Sequence, residues 1–288
     1  MKAVLYYRGS LTSCNYDCPY CPFGKTRDSA ATLAKDREGV ERFVQWAGEQ
    51  GAAGHRLSIF FNPYGEGLIH RWYKKALADL SAMDHVDKVA IQTNLSADLS
   101  FISELQKEKT AFWATYHPGQ VREETFLAQC LTLHRHGVPF SVGSVGIRTA
   151  FAALSSLRAV LPEDIYLWVN AYKDRPDYYT AEDLVFLSGI DPHFGLNARD
   201  YESLGQACQA GSSVFYVQGA GRVKRCYKDR SVIGNLYRDG LEGLSAKRAC
   251  RMNLCDCYIG YIHMPGLELH KVYGSGLLER IPYGVPSP

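Results

Sequence analysis

The stretch "AVLYYRGSLTSCNYDCPYC", from Ala3 to Cys21, joins an apolar run to three closely spaced cysteines. The run "AVLYYR" is rich in residue types that favour β-strands, so we predict a first strand over 3–8. Directly after this strand come Cys14, Cys18 and Cys21, with the spacing C-x3-C-x2-C. Three cysteines are one ligand short of a structural zinc site, and they are an odd number for a disulfide framework. The first strand is therefore expected to end beside an incomplete set of metal ligands.

Strand and helix patterns alternate through the first two thirds of the chain. The predicted strands are 3–8, 56–61, 87–93, 110–116, 138–145 and 164–170. The predicted helices, in which apolar residues recur at helical spacing, are 37–50, 67–83, 97–108, 122–136, 149–160 and 180–189. Because alternating strands and helices form parallel sheets with right-handed crossovers, we predict an α/β fold, either a partial (β/α)6 TIM-like barrel or an open parallel sheet. In both architectures functional residues lie at the carboxyl ends of the strands.

The sequence changes in character after about residue 195. Short strand-like runs alternate with turns at Gly219, Gly221 and Gly234, and the end of the chain is rich in glycine, proline and cysteine. A small irregular region of this kind buries little apolar surface, and metal ligation is a common way to stabilise one. We therefore predict two domains, a core over 1–195 and a small irregular cysteine-rich domain over 200–288.

Composition narrows the class of protein. The chain has 288 residues, 46% of them apolar, and a net charge of +2, which gives no support for a nucleic-acid partner. No apolar run is long enough to cross a membrane, and the N-terminus is too short and polar for a signal peptide, so we expect a soluble cytoplasmic protein. Thiols stay reduced in that compartment, and eight of the nine cysteines fall in two clusters, which indicates metal binding. The ninth, Cys130, lies in a helix-like run and is predicted to be a core residue.

The first cysteine cluster resembles a known motif. The spacing C-x3-C-x2-C in a loop after the first strand is similar to that of the radical S-adenosylmethionine (radical SAM) superfamily. The resemblance implies a [4Fe-4S] cluster on Cys14, Cys18 and Cys21, with the fourth iron chelated by the amino and carboxylate groups of SAM. It also places Tyr20 against the adenine. An electron passed through the cluster would cleave SAM to methionine and a 5′-deoxyadenosyl radical. A zinc-knuckle fragment and a redox CxxC pair are the alternatives for this motif.

Two further strand ends fit the same family. The second strand ends in "FFNPYGEGLIH", and Gly65-Glu66 match the last two residues of a Gly-Gly-Glu motif that holds the SAM ammonium group in the family. Here Tyr64 replaces the first glycine. A carboxylate facing an ammonium group is chemically apt, although the same residues are common at a helix N-terminus. The third strand ends in "QTNLS", where Asn94 matches a Thr-Asn turn of the family and is alternatively a helix cap.

The remaining strand ends supply candidate contacts to SAM or substrate. Thr115 and His117, in "ATYHPG", would point toward the mouth of the barrel near the SAM ribose or the substrate. His117 has a structural role as its alternative. Ser144, after the fifth strand, and Asn170, after the sixth, are candidates for contact with the SAM carboxylate or ribose. No residue is identified as a catalytic acid or base.

The second cysteine cluster resembles the SPASM/twitch extension of one branch of the superfamily. Its opening pattern C-x12-G-x4-C runs from Cys208 to Cys226, and Cys250, Cys255 and Cys257 follow. Full SPASM domains carry seven cysteines, so five fit the shorter twitch form. They imply one fully ligated auxiliary [4Fe-4S] cluster with one cysteine to spare, and leave open which of the last three are ligands. A structural zinc site is the alternative. The lysines and arginines nearby are interpreted mainly as a solvated face, with charge compensation of a thiolate-ligated cluster as the alternative.

The resemblance implies hydrogen-atom abstraction by the deoxyadenosyl radical. We expect the substrate to be a peptide that is oxidised or crosslinked, with oxidation of a small molecule as the alternative. Because the first strand begins almost at the N-terminus, a peptide would need a separate recognition protein or a short sequence read at the barrel mouth. The expected electron donor is a flavodoxin or ferredoxin. A different class of function, a non-catalytic zinc-binding module that engages RNA through its basic C-terminal region, is opposed by the near-neutral charge.

Overall fold

The six predicted strands are confirmed, and they form a parallel sheet. The structure is a computed structural model and describes residues 1–285. The strands are β1 (Lys2–Gly9), β2 (Arg56–Phe61), β3 (Val86–Thr93), β4 (Thr110–Thr115), β5 (Phe140–Val145) and β6 (Leu167–Asn170). Each pairs in parallel with the next, from β1 to β6. Their carboxyl ends therefore meet at one edge of the sheet.

Helices cross between the strands as expected, with one exception. They are α1 (Ala30–Glu49), α2 (Arg71–Ser81), α3 (Glu123–Arg135), α4 (Phe151–Val160), α5 (Ala181–Ile190) and α6 (Phe194–Ala198). The helix predicted over 97–108 is wrong, because two short 3-10 turns, Ser100–Glu104 and Lys107–Lys109, replace it. Leu95 turns the chain with a φ of 56°, and Phe101 and Ile102 are buried from within the first 3-10 turn. The apolar residues that suggested a helix are thus buried without one.

The C-terminal third of the chain extends the same sheet. After β7 (Tyr201–Glu202), strand β8 (Val214–Gln218) pairs in parallel with β1. Then β9 (Arg222–Lys224) and β10 (Val232–Asn235) continue antiparallel, giving the strand order β10-β9-β8-β1-β2-β3-β4-β5-β6. The remaining elements are α7 (Leu236–Leu244), β11 (Leu254–Cys255), which pairs with β7, and α8 (His270–Tyr273). With β10 and β6 at its edges, the sheet is an incomplete barrel.

The two faces of the sheet bury different side chains. The outer face packs against the helices in the larger core, which includes Cys130 of α3, as expected for that residue. The inner face is rich in aromatic residues, and its buried cluster is Tyr6, Phe60, Ala90, Ala111, Trp113, Tyr166, Trp168, Val214, Tyr216 and Leu278. Leu278 belongs to the C-terminal segment, which covers the amino half of this face.

Polar contacts hold that segment inside the barrel. Lys88 of β3 pairs with buried Glu279 at 2.7 Å, and the Ser141 hydroxyl of β5 donates to the Glu279 carbonyl. The guanidinium of buried Arg280 lies 5.3 Å from the Trp113 ring centroid. The C-terminal segment is therefore held against the inner face of the barrel. No helix within residues 1–285 has both the length and the apolar character needed to cross a bilayer.

Candidate functional site

The cysteine loop between β1 and α1 is anchored by Asp28. This carboxylate accepts hydrogen bonds from the Thr12 backbone at 2.7 Å, the Thr12 hydroxyl at 2.5 Å and the Ser13 backbone at 2.9 Å. Burial alone would raise the pKa of Asp28, but these hydrogen bonds outweigh it and hold the pKa below its usual value. Asp28 thus fixes the chain just before Cys14.

A second acid, Asp36 of α1, holds the start of the loop. It is fully buried and accepts from the backbone of Ser10 at 2.7 Å and of Leu11 at 2.9 Å. Trp72 of α2 donates its indole N–H to the same carboxylate at 2.9 Å. Sequence analysis missed both acids. For Asp36 the available signal was a carboxylate between the predicted metal loop and the predicted helix over 37–50.

The three N-terminal cysteines lie on this anchored loop with hydrogen-bond donors near their sulfurs. The backbone N–H of Tyr16 points at the sulfur of Cys14 at 3.5 Å, and that of Phe23 at the sulfur of Cys21 at 3.4 Å. Burial raises the pKa of the Cys18 thiol to about 11. A bound metal reverses that effect by favouring the thiolate, and N–H donors to the sulfurs tune a bound cluster. The loop thus offers three thiols as possible metal ligands, and two of their sulfurs are within reach of backbone N–H groups.

The end of β2 packs on the cysteine loop through Gly65. A Cβ atom at this position would lie 1.7 Å from the Ser13 carbonyl oxygen, so only glycine fits. From the end of β3, the Asn94 side-chain N–H₂ approaches the sulfur of Cys14 at 3.8 Å and donates to the Asn15 side chain at 2.9 Å. The candidates Gly65 and Asn94 therefore both contact the cysteine loop. Asn94 does not cap an α-helix.

Glu66 joins the ends of β2 and β3. Its buried carboxylate accepts from the Thr93 hydroxyl at 2.7 Å, the Asn94 backbone at 2.5 Å and the Leu68 backbone at 2.9 Å. Burial raises its pKa above the usual value, and these hydrogen bonds only partly oppose the effect. Both carboxylate oxygens are thus engaged by the protein itself.

Tyr20 and His117 link the cysteine loop to the end of β4. The Tyr20 hydroxyl and the His117 Nδ1 are 2.9 Å apart, and the two rings stack with centroids 6.0 Å apart. Burial lowers the pKa of His117 to about 4, so the imidazole is neutral near pH 7. Two candidates from distant parts of the sequence therefore form one contact.

Thr115, Ser144 and Asn170 differ in what their side chains touch. The Ser144 hydroxyl donates to the Tyr116 carbonyl at 2.9 Å, which occupies it inside the protein. The Thr115 hydroxyl and the Asn170 side-chain oxygen are buried and find no hydrogen-bond partner in the described part of the chain. An unpartnered buried polar atom costs about 1–3 kcal/mol, so these two atoms are suited to receive a ligand.

The five C-terminal cysteines surround one cavity. Cys208, Cys226, Cys250, Cys255 and Cys257 all line a space of about 30 Å³. The sulfur of Cys226 accepts a hydrogen bond from the backbone of Asp229 at 3.1 Å. Burial raises the pKa of the Cys226 thiol to about 11 and that of Cys255 to about 12. The chain thus brings thiols from four separate segments to one enclosed place.

Arg225 holds three of these segments together. Its buried guanidinium donates to the carbonyls of Ala210 at 3.1 Å, Arg248 at 2.6 Å and Ala249 at 2.5 Å. Ala249 directly precedes Cys250. The interpretation of the nearby basic residues as a solvated face is therefore wrong for Arg225, which replaces solvent with carbonyl oxygens.

The two cysteine regions face each other across aromatic rings. Phe23, two residues after Cys21, stacks on Tyr64 with centroids 4.5 Å apart. The ring of Tyr227, next to Cys226, meets Phe23 edge-on at 6.4 Å. Across residues 1–285, no three histidine, cysteine, aspartate or glutamate side chains converge in the geometry of a single-ion site.

Comparison with solved structures identifies the fold. A structure of anSMEcpe, a radical SAM enzyme with a SPASM domain, with bound AdoMet (SAM) and Cp18Cys peptide has a TM-score of 0.53 at 17% identity, and the match covers 85% of this chain and 80% of that chain. Native anSMEcpe with bound AdoMet matches with a TM-score of 0.53 at 16% identity, over 84% of this chain and 80% of that chain. The architecture is therefore a partial TIM-like barrel, the fold that the chain shares with these anSMEcpe structures. No protein-family model and no curated protein matches the sequence.

Proposed function

We propose that this protein reductively cleaves SAM and uses the resulting radical to abstract a hydrogen atom from a peptide. The observation that carries the proposal is the cysteine loop, held at the carboxyl edge of the barrel by Gly65 and Asn94. The radical SAM fold and the AdoMet bound to anSMEcpe support the same reaction class.

The three N-terminal thiols fit a [4Fe-4S] cluster that keeps one iron for SAM. When bound, such a cluster supplies the electron that cleaves SAM to methionine and a deoxyadenosyl radical. Cys14, Cys18 and Cys21 would be its ligands, and the N–H groups aimed at Cys14 and Cys21 would stabilise their thiolates. Asp28 and Asp36 keep the loop in place before the ligand binds.

SAM would lie across the strand ends. Thr115 and Asn170 have buried oxygens without partners in the described part of the chain. The Thr115 hydroxyl would donate to or accept from SAM, and the Asn170 amide oxygen would accept from it. The stacked pair of Tyr20 and His117 offers an aromatic surface for the adenine. Because both oxygens of Glu66 are engaged by backbone and Thr93, we assign Glu66 the task of positioning the strand ends.

The second cysteine group would hold an auxiliary [4Fe-4S] cluster. Five thiols line its cavity, and a four-iron cluster takes four cysteines, so one is spare. We infer that this site accepts an electron from the substrate radical or contacts the substrate directly. The first role gives a net two-electron oxidation or a crosslink.

A peptide is the substrate class that we favour. The Cp18Cys peptide bound to anSMEcpe supports this choice. The electron donor would be a flavodoxin or ferredoxin. The peptide would be presented by a separate recognition protein or recognised through a short sequence at the barrel mouth. The cytoplasm, where such reduced partners are found, is the proposed location.

Anaerobic reconstitution tests the proposal. With dithionite and SAM, the wild-type protein should contain about eight irons per chain and release 5′-deoxyadenosine. Cys18→Ala should abolish that release because it removes a ligand of the SAM cluster. Cys130→Ala is the matched control, since that buried cysteine lies in the outer core, and it should behave as wild type. A colourless zinc protein, or deoxyadenosine from the Cys18 variant, would refute the assignment.

A further inference from the structure

Three polar side chains form a row across neighbouring strands at the carboxyl end of the barrel. They are Gln218 of β8, Arg8 of β1 and Asn62, which directly follows β2. Two residues earlier on the same strands, Tyr216, Tyr6 and Phe60 belong to the inner-face cluster. Because side chains two apart on a strand share a face, the row faces into the barrel mouth.

A β-bulge lies at Arg8. The pairing of β1 with β8 shifts register between Tyr7 and Gly9, so Arg8 has no opposite residue. Gly9 points the other way, since a Cβ atom there would meet Asp36 at 2.6 Å on the helical side. Bulges are frequent next to functional sites, where they re-aim a side chain.

The Arg8 guanidinium packs against aromatic rings. Its central carbon lies 4.3 Å from the Tyr64 ring centroid and 4.6 Å from that of Tyr227. Phe23 is farther away, at 5.9 Å. Stacking of this kind holds a guanidinium by its faces and leaves its planar edge free for paired hydrogen bonds. Arg8 therefore sits between the two cysteine regions with its donors fixed in direction.

Several polar atoms of the row find no hydrogen-bond partner in the part of the chain that the structure describes. Arg8 Nη1, both amide atoms of Asn62 and the side-chain oxygen of Gln218 are buried and lack a hydrogen bond within residues 1–285. No carboxylate in that range forms an ion pair with Arg8. Such a set of unmet donors and acceptors is costly without a ligand, and functional sites are where it is expected.

We propose that this row binds a carboxylate group of the substrate. One guanidinium matches the single charge of a carboxylate, and its fixed edge suits a two-point hydrogen bond. The amides of Asn62 and Gln218 add neutral donors and acceptors for the atoms beside the carboxylate. The proposal rests on the proposed function, because it takes the barrel mouth to be the substrate site, and it narrows the substrate to an acidic peptide residue or a small carboxylic acid.

Binding measurements on the reconstituted full-length protein with SAM test this row. The probes are Ac-Glu-NH₂, its neutral counterpart Ac-Gln-NH₂, glutarate and inorganic phosphate, followed by saturation-transfer and ³¹P NMR. Wild type should bind Ac-Glu-NH₂ at least about tenfold more tightly than Ac-Gln-NH₂ because a charge-assisted hydrogen bond is gained. Stronger binding of glutarate than of Ac-Glu-NH₂ would identify a small carboxylic acid as the source, and the reverse a peptide side chain.

Arg8→Gln should remove the preference for the acid. Arg42→Gln is the matched control, since Arg42 also stacks on a tyrosine, Tyr237 at 4.1 Å, but on the outer helix α1, and it should keep the preference. If Arg8→Gln melts earlier than wild type, Gln218→Leu takes its place and should weaken Ac-Glu-NH₂ binding about fivefold.

Four results would overturn the proposal. Two concern the preference for the acid: wild type binds Ac-Glu-NH₂ and Ac-Gln-NH₂ equally, or Arg8→Gln keeps the wild-type preference for Ac-Glu-NH₂. The third is Arg8-dependent binding of phosphate and of no other probe. The fourth is that Arg8→Gln weakens the binding of SAM and of none of the probes. Wild-type release of deoxyadenosine is assayed separately. If wild type released no deoxyadenosine, the proposed function would be refuted. The preference for the acid is measured by binding, so its outcome does not depend on that assay.

Discussion

The two cysteine regions of this chain are built in opposite ways. Cys14, Cys18 and Cys21 lie within eight residues on one loop, fixed by acids that accept backbone N–H groups. The other five cysteines come from four segments and meet only in the folded protein, around a single cavity. A short local motif thus brings three thiols together at the barrel mouth, whereas the five other thiols are brought together only by tertiary assembly.

The supports of the two regions also differ in charge. Carboxylates hold the first loop by its N–H groups, and a guanidinium holds the second region by its carbonyls. We therefore expect mutations to separate the two regions, with SAM chemistry lost from the first and cluster content lost from the second.

Gly65→Ala should have the largest effect, and it should act on the first region alone. The new Cβ atom would overlap the Ser13 carbonyl and displace the cysteine loop. A displacement of about 1 Å can cost about a hundredfold in rate, so deoxyadenosine release should fall by at least that factor. Gly189→Ala, in an open position on α5, is the control and should match wild type. Unchanged release from Gly65→Ala would show that the loop contact is dispensable.

Cys226→Ala should show the reverse pattern. Loss of one of two clusters should remove about half of the iron, measured by colorimetric assay after anaerobic reconstitution. SAM cleavage should persist because the N-terminal thiols are untouched. If deoxyadenosine release disappeared together with the iron, the two regions would not be independent.

Arg225→Gln should loosen the second region without removing a thiol. Several carbonyls would lose a charged donor in a buried place, which should cost about 2 kcal/mol of stability. The melting temperature should drop by a few degrees, and auxiliary iron should fall more than SAM cleavage. Arg230→Gln, at an exposed position four residues from Cys226, should change neither quantity.

A smaller effect is expected from pH through His263, outside both regions. Burial, with a further contribution from Arg280, lowers the pKa of His263 to about 3, and its ring bonds to the Tyr6 hydroxyl at 2.6 Å. In the unfolded chain His263 is protonated near pH 6.5, whereas in the folded chain it stays neutral at that pH. The free energy of unfolding is therefore largest above pH 6.5 and decreases as the pH falls below it. Between pH 7.5 and 5.5 the loss should be about 1.4 kcal/mol.

Calorimetry at the two pH values checks this effect. His263→Asn should lower the melting temperature at both, yet show a weaker pH dependence than wild type. The exposed His136→Asn should keep the wild-type dependence. An identical dependence in all three proteins would mean that His263 is not held neutral.

Local sequence patterns predicted the strands of the barrel and the position of the first cysteine loop. The six strands follow from β-rich runs, and the first cysteine loop follows from its spacing, because both depend on neighbouring residues. The helix over 97–108 failed since buried apolar residues recur at similar spacing in 3-10 turns. Helical periodicity alone does not separate the two.

Long-range contacts were beyond the sequence. The parallel pairing of β8 with β1 joins residues far apart in the chain, and no local pattern encodes it. The hydrogen bonds of buried Arg225 to carbonyls of other segments, and the stacking of Arg8 on Tyr227, likewise join residues far apart in the chain. The boundary between the predicted domains stays a prediction, although strands from both sides of it share one sheet.

The central claim is that SAM binds at the three-thiol site and not at the five-thiol site. Electron–nuclear double resonance on reduced Cys226→Ala and reduced Cys18→Ala, each with SAM labelled with ¹⁷O in its carboxylate, tests it most directly. The account predicts ¹⁷O coupling to the cluster that remains in Cys226→Ala and none in Cys18→Ala. Coupling in Cys18→Ala, or its absence in a Cys226→Ala protein that holds a cluster, would contradict it.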